Sequence, residues 1–197
     1  LRDYSRLDAL VNNAGIALFG EAERRVSADG HELHFQVNYL AAYLLTELLL
    51  PRLVESAPAR IVNVSSVAQS PPDFQDLMLE RGYAMGRAYG QSKLAQVMHT
   101  FELAAALEGT GVLVNALHPS TFMDTGMILE PGLEPRSSVL TGRDAVLRLL
   151  DDPDIGSGGF FDVQMPARAH PSAYDPDVRA RLMTASAELT GTGRGRE

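Results

Sequence analysis

Cysteine is absent from the 197 residues, which excludes disulfides and thiolate metal sites and leaves the redox compartment open. Positive charge is scarce: 17 Lys and Arg stand against 25 Asp and Glu, for a net charge of -8. An acidic balance of that kind argues against a nucleic-acid partner. Long hydrophobic runs are missing too. The most apolar stretch, Tyr39 to Pro51, is broken by Glu47 and is shorter than the roughly 20 residues a membrane helix needs. No secretory leader is expected before it, given the opening Leu1-Arg2-Asp3. A cytoplasmic location without a membrane span is the expectation. Lysine is the scarcest charged residue, with one, Lys93, against sixteen arginines. That imbalance looks like a codon bias toward arginine and makes the single exception informative.

What is present suits one globular domain. The chain is 45% apolar and 21% charged, enough for a substantial core. The domain is expected over residues 1–190, with 191–197 as a disordered tail. Leu7 to Val11 is a short apolar run stopped by Asn12-Asn13-Ala14-Gly15 and reads as a buried parallel strand. Ser27 to Ser56 has helical spacing, with Ser27 and Gly30 at its start and Pro51 as a kink or late segment boundary. Arg60 to Ser66 is a second strand rich in β-branched residues. A long helix is predicted from Gly86 to Leu107, stopped by Gly109 and Gly111. Val112 to Leu117 is a third strand, ending at His118-Pro119. Ser120 to Ser138 reads as a loop or lid, followed by a short helix after Thr141-Gly142. A fourth strand is expected at Gly158–Val163, and a last helix from Pro176 to Leu189. Strands alternating with long helices imply an α/β fold, a parallel sheet covered on both faces. Ligands bind such sheets beyond the strands' carboxyl ends, where Asn12-Asn13, Ser65-Ser66 and Pro119-Ser120-Thr121 all lie.

The chemistry centres on Tyr89-Gly90-Gln91-Ser92-Lys93, which sets a phenol and an ammonium on one helix face, one turn apart. A phenol titrating near 10 is a poor acid/base at neutral pH, and an adjacent cation favours its phenolate. An exposed helical pair would show the same spacing. With six tyrosines in 197 positions, however, a randomly placed lysine falls four after one of them only about 3% of the time. A compact ammonium has been kept where arginine is used everywhere else, and a planar guanidinium would fit differently.

Ser66 lies 23 residues before Tyr89, Asn12-Asn13-Ala14-Gly15 ends the first strand, and Asn38 sits in the helix between them. In order and approximate spacing this set resembles the short-chain dehydrogenase/reductase family. The likeness runs from Leu7 to Thr125 through specific motifs and more loosely to Leu189, where it is most similar to retinol-dehydrogenase-like members.

The resemblance implies a Rossmann-like sheet and an NAD(P)-dependent oxidoreductase that interconverts a small or lipophilic carbonyl and alcohol. NADP is slightly favoured over NAD on the resemblance alone. Tyr89 would be the general acid/base, and Lys93 would hold the nicotinamide ribose and lower the pKa of Tyr89. Ser66, rather than Ser65, would orient the substrate oxygen, and Asn38 would hold a relay water. Asn12, Ala14 and Gly15 would lie against the adenine-side ribose and steady the central sheet, with Gly15 permitting close backbone approach. Pro119 and Thr121, with Thr125, are candidate nicotinamide contacts, alongside Tyr89 and Lys93 themselves. Two departures put that loop in doubt: Ser120 stands where glycine is usual, and Thr125 sits one residue late. The two long helices are similar to those of the family's dimer interface, which makes a homodimer a partner to test.

The family's glycine-rich phosphate turn is not visible before Leu7, and two βαβ units would need on the order of 70–90 residues upstream. The family's strand order is 3-2-1-4-5-6-7, with Leu7–Val11 matching strand 4. The expectation is a fragment, missing its first strands and impaired in cofactor binding, with an exposed apolar edge at that strand. A non-catalytic binding or scaffold protein that retains the fold is the alternative, and a sugar-nucleotide-modifying relative is a third reading. The joint presence of Asn38, Ser66, Tyr89 and Lys93 argues against the scaffold, and the context of Asn12-Asn13-Ala14-Gly15 and Ser65-Ser66 favours the simpler reductases over the sugar-nucleotide relative.

Blander features complete the reading. His31 and His34 lack a third ligand and read as surface residues, so no metal is expected. His118 is read as strand-end packing. Met123, Met127 and Ile128 are lid or core residues in equal measure. The Gly191–Gly195 stretch follows a helix and opens none, so it is not read as a phosphate loop.

Overall fold

The computed structural model describes residues 4–194. Five strands form one sheet in the order β1-β2-β3-β4-β5. These are β1 (Ala9–Asn12), β2 (Ala59–Val64), β3 (Val112–His118), β4 (Phe160–Asp162) and β5 (Met165–Ala167). The first four run parallel, and β5 turns back antiparallel. Five helices accompany them: α1 (Phe35–Glu55), α2 (Met85–Ala106), α3 (Gly126–Leu129), α4 (Val139–Asp151) and α5 (Pro176–Thr190).

Alternation along the strands sets the two layers. Leu10, Ile61 and Val114 face α1 and α2, packing on Leu53, Leu103 and Leu107. Val62, Val64 and Leu117 face α4, packing on Ala145 and Leu149. A third cluster joins Phe35, Tyr39 and Tyr43 of α1 to Leu94 and Met98 of α2 and Leu182 of α5. Register places Asn12 opposite Asn63, and Val64 opposite Leu117, so the first three strands end along one edge. The expected α/β parallel sheet with helices on both faces is what the chain forms.

Several boundaries differ from the sequence reading for local reasons. Ser27 does not start α1. Its hydroxyl accepts from the Asp29 and His31 N–H groups in a turn closed by Gly30, at φ +84°. The Glu32 carboxylate caps the helix instead, accepting from the His34 and Phe35 N–H groups at 3.0 and 2.7 Å. Glu32 is buried, and so is His34, contrary to the surface reading. His34 is tolerated inside because both ring nitrogens are engaged, one with Glu32 at 2.9 Å and the other with the Leu18 N–H at 3.2 Å. β1 is half-exposed rather than fully buried, with Leu10 and Asn12 inside and Val11 outside. α4 begins at Val139 behind a Ser138 cap, so Thr141 and Gly142 lie within it. β5 was not anticipated. Three residues with a central proline carry little strand signal, and proline is accepted at a sheet edge. Gly191 caps α5 and Thr192–Arg194 form a 3-10 turn, while residues 195–197 of the expected disordered tail lie outside the described residues.

α1 is 21 residues long with mean hydropathy 1.2, enough by length and composition to cross a membrane. Tyr43, Thr46 and Leu53 are buried, whereas Leu45 and Leu48 are exposed.

Candidate active site

A cleft of about 590 Å³ opens beyond the carboxyl ends of β1, β2 and β3. Asn13, Ala14 and Gly15 line one side, Pro119 to Thr121 another, and Ser66, Tyr89 and Lys93 lie between. Three separate sequence motifs therefore meet where parallel strands end.

Lys93 forms the floor. It is 4% exposed, and Nζ donates to the Val64 carbonyl at 2.9 Å and to Gln96 Oε1 at 3.1 Å. Burial pushes its pKa down to about 8, because a charged amine is poorly solvated there. Lys93 Nζ stands 5.8 Å from the Tyr89 ring centroid. The Tyr89 phenol is pushed above its ordinary value by burial, an effect partly opposed by a hydrogen bond with Ser66. The expected lowering by Lys93 is thus not seen in the chain alone, where burial and the Ser66 hydrogen bond set the shift. The Tyr89 ring also meets His34 edge-on, with centroids 6.4 Å apart. That contact was missed by the sequence reading, which left His34 at the surface.

The two serines differ in their bonding. Ser65 Oγ donates to the Lys93 carbonyl at 2.7 Å and ties β2 to α2. Ser66 Oγ accepts the Ala68 N–H at 3.1 Å, which leaves its own hydrogen free to turn toward Tyr89. The Ser66 carbonyl accepts from Gln69 Nε2 at 2.7 Å, while Gln69 Oε1 accepts the His170 N–H at 2.7 Å.

Asn38 lies in the first six residues of α1, which are wound as a π-helix, a feature frequent at functional sites. Its Oδ1 accepts the Ile16 N–H at 2.7 Å, and its Nδ2 donates to the Ile16 carbonyl and Ser92 Oγ, each at 3.0 Å. The side chain is thus a clamp between the loop after β1 and α2, with both ends of its amide engaged. This differs from a side chain reserved for a relay water. Gly15 explains the tightness: a Cβ there would stand 3.2 Å from Asn38 Oδ1 and 3.5 Å from Lys93 Nζ. The close approach expected at Gly15 is therefore to the site's own residues.

Asn12 keeps the sheet-steadying part of its expected role and is corrected only as a cleft contact. Its side chain points away from the cleft and donates to Thr46 Oγ1 at 3.0 Å and Asn63 Oδ1 at 2.8 Å. Asn63 in turn donates to Thr100 Oγ1 at 2.8 Å, making a buried polar chain under the sheet. Strand alternation was the available signal, since Asn12 shares a face with Leu10 and leaves Asn13 for the cleft.

Above the floor the cleft is apolar. Phe19 from the loop after β1 meets Phe122 from the loop after β3 edge-on at 6.0 Å. Phe122 sits at φ +48°, a strained conformation for a non-glycine residue. Met123, Met127 and Ile128 line the wall, and Ile128 is also buried in the core; Met85 was not anticipated. Thr121 and Thr125 also line it, and Thr121 Oγ1 lies 3.1 Å from His118 Nε2. His118 is both strand end and cleft lining, with its pKa lowered by burial. No carboxylate lines the cleft among the described residues, which suits a ligand carrying negative charge.

The short chain dehydrogenase family profile matches residues 1–131. The chain belongs to that family. It is 38% identical over 210 residues to retinol dehydrogenase 13 of Mus musculus, which spans 97% of this chain and 62% of that protein. An uncharacterized protein from Mycobacterium Paratuberculosis superposes with a TM-score of 0.74 at 28% identity, over 96% of this chain and 69% of its own. The NADPH-bound carbonyl reductase from chicken fatty liver superposes with a TM-score of 0.63 at 30% identity, over 85% and 68%. The family and its retinol-dehydrogenase likeness agree with the resemblance read from the motifs. The chain spans about 62% of the length of the curated relative it matches.

Proposed function

We propose that this chain carries the catalytic centre of an NAD(P)-dependent oxidoreductase that interconverts a lipophilic carbonyl and its alcohol. The carrying observation is the convergence of Ser66, Tyr89 and Lys93 at the floor of one cleft with an apolar wall. When bound, a nicotinamide dinucleotide supplies or accepts the hydride. The residues present fit such a group: Lys93 lines the cleft with one ammonium hydrogen left over, and no carboxylate lines the cleft among the described residues.

Within this reading the Tyr89 phenol donates its proton to the carbonyl oxygen during reduction and accepts it from the alcohol during oxidation. The raised pKa keeps Tyr89 protonated in the chain alone, the form that reduction requires. Ser66, with one lone pair taken by the Ala68 N–H and its hydroxyl hydrogen free, donates toward the same oxygen and orients it. The Lys93 ammonium offers its remaining N–H to the ribose side of the cleft. Phe19, Phe122 and Met127 exclude water and favour an apolar substrate. NADP is proposed ahead of NAD, and a cytoplasmic setting is retained. α1 is proposed as a core helix rather than a span, because Asn38 and Thr46 on it are bonded into the fold. Self-association, if it occurs, uses the exposed Leu45 and Leu48 of α1.

The test combines binding and turnover. NADPH and NADH are titrated by nicotinamide fluorescence, and lipophilic aldehydes are offered to the wild type and to Tyr89→Phe. Binding with turnover that disappears in the variant supports the reading. Turnover retained without the phenol removes Tyr89 from it, and binding of neither dinucleotide favours the scaffold alternative.

A further inference from the structure

Two glutamines on α2 lie near Lys93, and their amides are treated differently. Gln91 is fully satisfied: Oε1 accepts the Asp73 N–H at 3.0 Å, and Nε2 donates to the Leu77 carbonyl at 2.8 Å. It pins the loop after β2 to the helix. Gln96 is buried as deeply, yet only its oxygen is used, accepting from Lys93 Nζ at 3.1 Å, while Nε2 has no hydrogen-bond partner. Turning the amide over would set a donor against the ammonium, so the charge fixes its orientation. A buried unpaired N–H is costly, and native folds keep few of them.

We infer that Gln96 is a positioning residue for Lys93, holding the ammonium so that its third N–H is left for the cleft. The inference rests on the role proposed above for Lys93. The geometry follows from helical spacing, because residues three apart share a face and Gln96 reaches back one turn. Val64 and Gln96 take two of the three ammonium hydrogens. Among the described residues the remaining surroundings offer no compensating anion. Gly15 and Asn38 approach from the loop after β1 and from α1 without charge, and Tyr89 stands on the same helix. From β3 comes His118, whose pKa the Lys93 charge helps to lower, with Asp162 of β4 acting on His118 in the opposite sense. Gln96 is therefore the one side-chain acceptor on the amine among the described residues.

The single lysine makes the test direct, because a lysine labelled with ¹³C at Cε reports Lys93 alone. Its titration midpoint is compared in the wild type, Gln96→Met and Gln96→Glu, with circular dichroism confirming the fold. Loss of the acceptor in Gln96→Met should lower the midpoint by about one unit or more, a tenfold change in the protonated ratio. Gln96→Glu, which keeps an acceptor and adds charge, should raise it. Midpoints unchanged in both variants overturn the inference. Where Gln96→Met fails to fold, Gln96→Glu alone decides by the same criterion. NADPH and NADH affinities are measured alongside and should weaken in Gln96→Met. If the wild type binds neither dinucleotide, the proposed function fails, while the lysine titration still decides on Gln96.

Discussion

Two polar regions flank the sheet and are built on opposite terms. Under β1 and β2, the chain from Thr46 through Asn12 and Asn63 to Thr100 satisfies its amides with neutral partners. On the cleft floor, a charged amine is buried, its pKa is pushed down to about 8, and Gln96 Nε2 and His118 Nδ1 lack partners. The first arrangement stabilises and specifies the fold. The second holds a cation and polar groups ready for something that binds. Burial of polar side chains does not by itself mark a site; incomplete satisfaction beside an open cleft does.

The largest expected effect separates the regions by activity. Tyr89→Phe should lower kcat by roughly 10²–10⁴-fold, read in steady-state reduction of a lipophilic aldehyde, while nicotinamide binding is retained. The same variant should leave thermal unfolding little changed. A matched loss of stability would mean that the phenol serves the fold.

Next comes the structural chain. Asn63→Leu removes the acceptor for Asn12 and the donor to Thr100, and should cost about 3 kcal/mol in urea unfolding. A loss below about 1 kcal/mol would break the contrast drawn between the two networks.

The pH dependence of stability reports a third buried group. His99 is packed beside the rings of Tyr39 and Tyr43, and burial pushes its pKa down to about 4. A histidine lowered in the folded state is stable above its unfolded value near 6.5 and loses stability as pH falls toward the folded value. Between those limits the loss should total about 3 kcal/mol, and His99→Phe should flatten that limb of the unfolding profile. An unchanged slope in the variant would assign the acid sensitivity to other groups.

The smallest effect has the opposite sign. Lys93→Met removes a charge that burial disfavours, and should raise stability at pH 7 by about 2 kcal/mol while activity is lost. A destabilised variant would place Lys93 with the structural chain instead of the cleft.

The sequence made β2, β3 and α2 legible because β-branched runs and helical spacing speak for themselves. It also brought Ser66, Tyr89, Lys93, Gly15 and the 119–121 segment to one place, which the structure confirms as a cleft. The start of α1 was misread because Ser27 and Gly30 make a good turn as readily as a helix cap. His34 looked exposed because its partners, Glu32 and Leu18, are recognisable only once the chain has folded back. Asn12 was placed in the site by its motif, although alternation from Leu10 already turned it inward. Gln96 was equally readable, because three residues after the single lysine it shares a helix face with it.

The central claim is that Tyr89 transfers the proton that accompanies hydride transfer on this cleft. The direct measurement uses NADH or NADPH deuterated at the reactive nicotinamide carbon, with a lipophilic aldehyde as acceptor and mass spectrometry of the alcohol. The wild type should place one deuterium on the carbinol carbon, and Tyr89→Phe should bind the same cofactor and form no labelled alcohol. Undiminished deuterium transfer by Tyr89→Phe would contradict the account.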